Sequence, residues 1–87
     1  MNDFTFTGKG FSDYLYWQTQ DKKTLKKINS LLADIQRNGV MQGIGKPEPL
    51  KHRSGYSRRI DESNRLIYEL DELQNIVILS CKGHYED

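Results

Sequence analysis

The sequence predicts an α+β fold in which two N-terminal helices pack on one face of a small, mainly antiparallel four-stranded sheet, in the order β-α-α-β-β-β. Three observations carry that expectation. Between Leu25 and Ile35 the apolar residues recur at three- and four-residue steps, the period of a helix with one buried face. In the second half, residues 56–60, 65–70 and 75–81 are β-branched or aromatic runs separated by polar turn segments. The chain has 87 residues, 36% hydrophobic and 29% charged, which suffices for one core and no second domain, so residues 1–87 are read as one domain.

The elements follow in order. Asp3-Phe4-Thr5-Phe6-Thr7 alternates aromatic and polar residues like a strand with one buried face, and Gly8 and Gly10 end it. Phe11, Tyr14, Leu15 and Trp17 lie at helical spacing and predict a first helix from Phe11 to Gln20, with Ser12 or Asp13 near its start. After Asp21, Leu25, Ile28, Leu31, Leu32 and Ile35 form the apolar face of a second helix that leaves Lys22, Lys23, Lys26 and Lys27 outside. Asn38-Gly39 is its left-handed stop. Residues 40–51 hold two glycines and both prolines without periodicity, which predicts an ordered loop of a length common at functional sites. The three β-rich runs then form a meander, turned by Asp61-Glu62-Ser63-Asn64 and Asp71-Glu72-Leu73-Gln74. Ile76-Val77-Ile78-Leu79 is apolar on both faces, as a central strand is.

Composition excludes several classes. A single cysteine allows no disulfide framework, and no apolar run approaches the roughly 18 residues of a membrane span. Residues 1–10 lack a basic segment followed by an apolar one, so a soluble cytoplasmic protein with no membrane partner is expected. Thirteen Lys plus Arg against twelve Asp plus Glu give a net charge of +1, but the charges are unevenly spread. Lys46, Lys51, Arg53, Arg58, Arg59 and Arg65 crowd one stretch against Glu48, Asp61 and Glu62, with His52 and Tyr56 interleaved. Cations neutralise phosphates and aromatic rings stack on bases, so Lys46, Lys51, Tyr56, Arg58 and Arg59 are candidate contacts for single-stranded RNA. A merely solvated hairpin has the same composition. Lys22 with Lys26 and Lys23 with Lys27 are like-charged i, i+4 pairs, a strain that an anionic partner relieves, although an exposed lysine face is also common without one.

Two residues stand out chemically. Glu48 lies in Pro47-Glu48-Pro49, where proline restricts the backbone on both sides and presents the carboxylate rigidly. His84 follows the last strand beside Tyr85, and a histidine at a strand end is available as a proton donor or acceptor. One carboxylate, one histidine and several arginines are what RNA cleavage needs without a metal ion or cofactor: a base for the ribose 2′-hydroxyl, an acid for the departing 5′-oxygen and a cation for the phosphoryl oxygens. Gly43-Ile44-Gly45-Lys46 is not a phosphate loop, because Val40 occupies the first glycine position and Pro47 replaces the magnesium-binding Ser or Thr. Cys81 and His84 are three apart on a predicted strand, offer no converging pair of zinc ligands, and leave Cys81 to the core.

The motifs Asp13-Tyr14-Leu15-Tyr16-Trp17, Asp21-Lys22-Lys23, Lys27-Ile28-Asn29, Gly45-Lys46-Pro47-Glu48-Pro49-Leu50-Lys51, Ser57-Arg58-Arg59-Ile60, Arg65-Leu66-Ile67-Tyr68 and His84-Tyr85 resemble, in order and spacing, those of the YoeB (Txe/YoeB) toxins. That family belongs to the RelE superfamily, with a microbial-ribonuclease-like α+β fold. The resemblance spans nearly the whole chain. It implies a toxin of a type II toxin-antitoxin system: an endoribonuclease, or mRNA interferase, that enters the A site of the bacterial ribosome, cleaves mRNA there and inhibits translation until a YefM-type antitoxin sequesters it. Glu48 then matches the general base, His84 the general acid, Arg65 the phosphate and transition-state stabiliser, Arg59 a second phosphate contact, Lys51 another basic residue of the pocket, and Tyr85 a residue that positions substrate or histidine. Lys22, Lys23, Lys26 and Lys27 become candidate contacts to ribosomal RNA, and a homodimer is a further expected assembly. The chain departs from the pattern in a shorter segment from Lys51 to Ser57 with one aromatic residue, in Asn64 where a histidine is usual, and in continuing past His84-Tyr85 with Glu86 and Asp87. The rival reading is a non-catalytic protein of the same fold that binds RNA or an antitoxin-like helix.

Overall fold

A computed structural model describes residues 3–84, so Tyr85, Glu86 and Asp87 lie outside the described residues. Its elements are β1 (Phe4–Phe6), α1 (Gly8–Gln20), α2 (Lys22–Asn38), β2 (Glu48–Pro49), β3 (Tyr56–Arg59), β4 (Arg65–Leu70) and β5 (Ile76–Ser80). One sheet of order β1-β5-β4-β3-β2 carries both helices, with β1 parallel to β5 and every other pair antiparallel. The expected class and layering are present, and β5 is interior, with β1 on one side and β4 on the other. A fifth strand is added: within the expected loop, Glu48 and Pro49 pair with Ser57 and Tyr56. An edge tolerates them because a proline there need not supply a ladder hydrogen bond.

The helix ends follow from local chemistry. α1 starts at Gly8, three residues before the expected Phe11, because the Thr7 hydroxyl caps it by accepting the Gly10 N–H at 3.0 Å. Gly10 is there for proximity, since a Cβ at this position would collide with the Ile78 carbonyl, so glycine lets α1 lie directly on β5. Asp21 serves both helices. Its N–H donates to the Trp17 carbonyl and ends α1, while its side chain accepts from the N–H groups of Lys23 and Thr24 and starts α2. α2 stops at Gly39, whose φ is +92°.

The core lies between the helices and one sheet face. Ile28, Leu31, Leu32 and Ile35 of α2 and Trp17 of α1 pack with Leu66, Tyr68, Ile76, Ile78 and Cys81. Among the described residues, no helix is long and apolar enough to cross a membrane.

Candidate active site

Strand register decides which side chains share the face away from the helices. Glu48 is opposite Ser57, Ser57 is opposite Ile67, and Arg59 is opposite Arg65. Because side chains alternate along a strand, these residues share one face, while Tyr56, Arg58, Leu66 and Tyr68 take the other, with the core. Between β4 and β5 the register slips so that Tyr68 faces Ile78 but Ile67 faces Ser80, which leaves Leu79 as an extra residue. Beyond this bulge the chain turns along the start of β4: the Arg65 N–H donates to the Gly83 carbonyl at 3.0 Å, and the Gly83 N–H to Asn64 Oδ1 at 2.7 Å. His84 is thereby brought beside Arg65.

The result is a cleft of about 300 Å³ lined by Glu48, Pro49, Leu50, Lys51, Ser57, Arg65, Ile67 and His84. Its apolar floor is Ile67, buried although it is on the face opposite the helices. Among the described residues Arg65 is anchored by one edge, its Nη1 donating to the carbonyls of Asp61 at 2.6 Å and Asn64 at 3.1 Å. A half-buried guanidinium held this way is aimed before any ligand arrives.

Four candidates from different parts of the chain, Glu48, Lys51, Arg65 and His84, thus meet in one cleft. Arg59 is exposed on the same face, opposite Arg65 but outside the lining, and Lys46 is exposed two residues before Glu48. Lys22, Lys23, Lys26 and Lys27 are all exposed on α2, and Lys23 and Lys27 border a second depression with Thr24, Ile60 and Asp61.

One expected RNA contact is corrected, and another lies away from the cleft. Arg58 has no exposed surface. Its Nε donates to the Tyr68 hydroxyl at 2.9 Å, its Nη1 to Asp34 Oδ2 at 2.5 Å and to the Ile44 carbonyl, and its Nη2 to the carbonyls of Gly39 and Gln42. All five guanidinium N–H groups are therefore used inside the protein, leaving none for phosphate. Tyr56 lies on the same core side, half-buried, with its ring centroid 5.7 Å from that of Tyr68, so its ring is not presented in the cleft.

Sequence reasoning missed Ser57 and Ile67 as lining residues and Asp34 as the partner of Arg58. A signal for the last was available: Asp34 adjoins Ile35 on the buried stripe of α2, and a carboxylate there requires a cation. The same carboxylate accepts from the Ile44 N–H and from Asn38. A Cβ on Gly43 would fall on it, so glycine is needed where the loop passes.

The Arg58 hydrogen bond, helped by those of Ile44 and Asn38 and opposed by desolvation, holds Asp34 below the ordinary carboxylate value of 3.8. Asp21 is lowered too, chiefly by the Thr24 hydroxyl. Folded values below the unfolded one mean stability that is present above about pH 4 and lost as the pH falls through the folded values. The urea midpoint is therefore expected to drop between pH 5 and pH 3, and Asp34→Asn, though less stable at pH 7, to show a smaller drop over that interval. Burial pushes the Cys81 thiol up to about 12, so this cysteine is no nucleophile.

Residues 6–85 match the family model of a YoeB-like toxin of bacterial type II toxin-antitoxin systems. The chain is 49% identical to toxin YoeB of Streptomyces coelicolor over 83 residues, covering 93% of this chain and 96% of the relative. It is 48% identical to toxin YoeB of Escherichia coli K12 over 79 residues, covering 88% and 92%. Among solved structures, the YoeB dimer from Staphylococcus aureus superposes with a TM-score of 0.88 at 51% identity, covering 97% of this chain and 98% of that one. The toxin in the heterotetrameric YoeB–YefM complex of the same organism gives 0.87 at 50%, covering 98% and 99%. The Escherichia coli DinJ–YafQ complex, with a TM-score of 0.78 at 18% identity over 97% of this chain and 94% of that one, shares the fold alone. Coverage of about nine-tenths of the chain at about half identity makes it a member of the YoeB-like toxins of bacterial type II toxin-antitoxin systems.

Proposed function

We infer that the protein is a ribosome-dependent endoribonuclease that cleaves mRNA in the ribosomal A site and so stops translation. The observation that carries this reading is the convergence of Glu48, Arg65 and His84 on one cleft with Lys51 beside them. Glu48 takes the proton of a ribose 2′-hydroxyl, and the freed oxygen attacks the adjacent phosphorus in line. His84 protonates the 5′-oxygen as its bond to phosphorus breaks, and Arg65 neutralises charge building on the phosphoryl oxygens. The products are a 2′,3′-cyclic phosphate and a 5′-hydroxyl end. Acid, base and cation are all side chains, so the reading requires no metal ion or cofactor. Lys51, Lys46 and Arg59 supply phosphate contacts around the cleft, and Tyr85 positions substrate or histidine. A YefM-type antitoxin and a second copy of the chain are the protein partners, a reading supported by the complex and dimer of the Staphylococcus aureus relatives. The site of action is the cytoplasm, where the ribosomes are.

The test is single-turnover incubation with ribosomes programmed with a defined mRNA, followed by mapping of the cut and of its end groups. A cut in the A-site codon leaving a cyclic phosphate supports the reading. Ribosome binding without cleavage overturns it in favour of the non-catalytic rival.

Lys22, Lys23, Lys26 and Lys27 are assigned to ribosomal RNA phosphates, so their role is affinity and not chemistry. With all four changed to Gln, ribosome binding is expected to weaken and its dependence on salt to flatten, by about 0.7 to 0.9 in log–log slope for each phosphate no longer neutralised. An unchanged slope returns these lysines to a solvated surface.

A further inference from the structure

We propose that Asn64 is a positioning residue that clasps the His84-bearing segment to the Arg65-bearing strand, so that general acid and phosphate-binding cation are held as one unit. The inference rests on the roles just given to His84 and Arg65.

Asn64 is half-buried at the end of the turn between β3 and β4. Its Nδ2 donates to both carboxylate oxygens of Asp61, each at 3.1 Å, and Asp61 Oδ1 also accepts the N–H groups of Ser63 and Asn64 at 2.8 Å. With its nitrogen committed to an acceptor, the amide must turn its oxygen the other way, and that oxygen takes the Gly83 N–H. The Gly83 carbonyl in turn accepts from the Arg65 N–H, and the Arg65 guanidinium returns to the carbonyls of Asp61 and Asn64. Residues 61, 64, 65 and 83 therefore form a closed set of hydrogen bonds, immediately before His84.

A separate clamp holds Cys81: its N–H donates to buried Asp13 at 3.1 Å, and its carbonyl accepts from Trp17 Nε1 at 2.8 Å. That clamp belongs to α1 and leaves Lys82 and Gly83 between it and His84. The Asn64 clasp is the nearer one: among the described residues, its side chain and the backbone bond from the Arg65 N–H to the Gly83 carbonyl together tie the His84 segment to Arg65. A group displaced by about 1 Å in a site of this kind costs up to roughly a hundredfold in rate.

The experiment compares single-turnover cleavage on programmed ribosomes for the wild type, Asn64→Ala, the exchange Asp61→Asn with Asn64→Asp, His84→Ala, and His84→Ala with Asn64→Ala. The exchange reverses carboxylate and amide but keeps a donor between them and an acceptor for the Gly83 N–H. Asn64→Ala is expected to slow cleavage by about ten- to a hundredfold with ribosome affinity within about twofold of wild type. The exchange is expected to recover most of that loss, and the double variant to be no slower than His84→Ala. Amide exchange at Gly83, read by NMR without ribosomes, should quicken in Asn64→Ala and return toward wild type in the exchange. A wild-type rate for Asn64→Ala alongside a slow His84→Ala overturns the clasp and leaves the acid assignment standing. So does an exchange variant that is folded and protected at Gly83 yet as slow as Asn64→Ala. A wild-type rate for His84→Ala overturns the acid assignment itself, whereas a double variant slower by the full Asn64→Ala factor overturns the coupling to His84.

Discussion

Glu48→Gln and His84→Ala are each expected to slow mRNA cleavage on programmed ribosomes by about a hundredfold to ten-thousandfold while leaving ribosome binding and folding nearly intact. Both side chains are exposed and line the cleft outside the core, so neither replacement opens a cavity. Glu48→Gln keeps the shape of the side chain and removes only its basicity. The flanking Pro47 and Pro49, with the pairing of Glu48 to Ser57, hold the backbone in place, so the glutamine sits where the carboxylate sat. Loss of rate at constant affinity is the signature of a group that acts only in the transition state. Wild-type rates for either variant, measured at saturating toxin, remove that residue from the chemistry.

Arg58→Leu is expected to cost about 3 to 5 kcal/mol, a large share of the roughly 5 to 15 kcal/mol that holds a domain together. The substitution leaves Asp34 without its cation and strips donors from the carbonyls of Gly39, Gln42 and Ile44. Arg58→Lys recovers little, because an ammonium has three donors at one point and cannot reach Tyr68, Asp34 and three carbonyls together. Combining Arg58→Leu with Asp34→Leu is expected to be less destabilising than the sum of the single changes, since it removes the stranded charge. Urea unfolding of the four variants measures this, and additive losses refute a coupled pair. Tyr68 belongs to the same network: its hydroxyl donates to the Val40 carbonyl at 2.6 Å, and burial, against the pull of Arg58, raises its pKa. The network orders the loop after α2 and so prepares the approach to Glu48.

Periodicity made α2 and the last three strands readable, because their apolar residues repeat at the spacing of one buried face. The start of α1 was hidden by Gly8 and Gly10, poor helix formers that read as a break, and is recovered only by the Thr7 cap and by the contact with β5. β2 was hidden because a two-residue strand has no period, and only its partner reveals it. Arg58 misled for a physical reason. Along Tyr56-Ser57-Arg58-Arg59 the alternation assigns Ser57 and Arg59 to one side and Tyr56 and Arg58 to the other, but which side is covered depends on helices far away in sequence. Glu48, Lys51, Arg65 and His84 of the cleft were nameable through family resemblance, whereas the ties that position them, Asp61 to Asn64 to Gly83, depend on a bulge and a turn that leave no pattern in the chain.

The parallel pairing of β1 with β5 has a consequence for how the chain reaches its working form. Phe4 lies against Ile76 and Phe6 against Ile78, and α1 rests on that same strand, so β1 and α1 have partners about 70 residues further along the chain. Contacts this distant in sequence carry a large loop-closure cost and form late in folding. β1 in particular has no strand partner until β5 is available. His84 lies beyond β5, so the cleft that it lines with Glu48 and Arg65 cannot be assembled on a nascent chain until His84 itself has emerged. Topology alone thus makes assembly of this cleft wait for the last strand among the described residues.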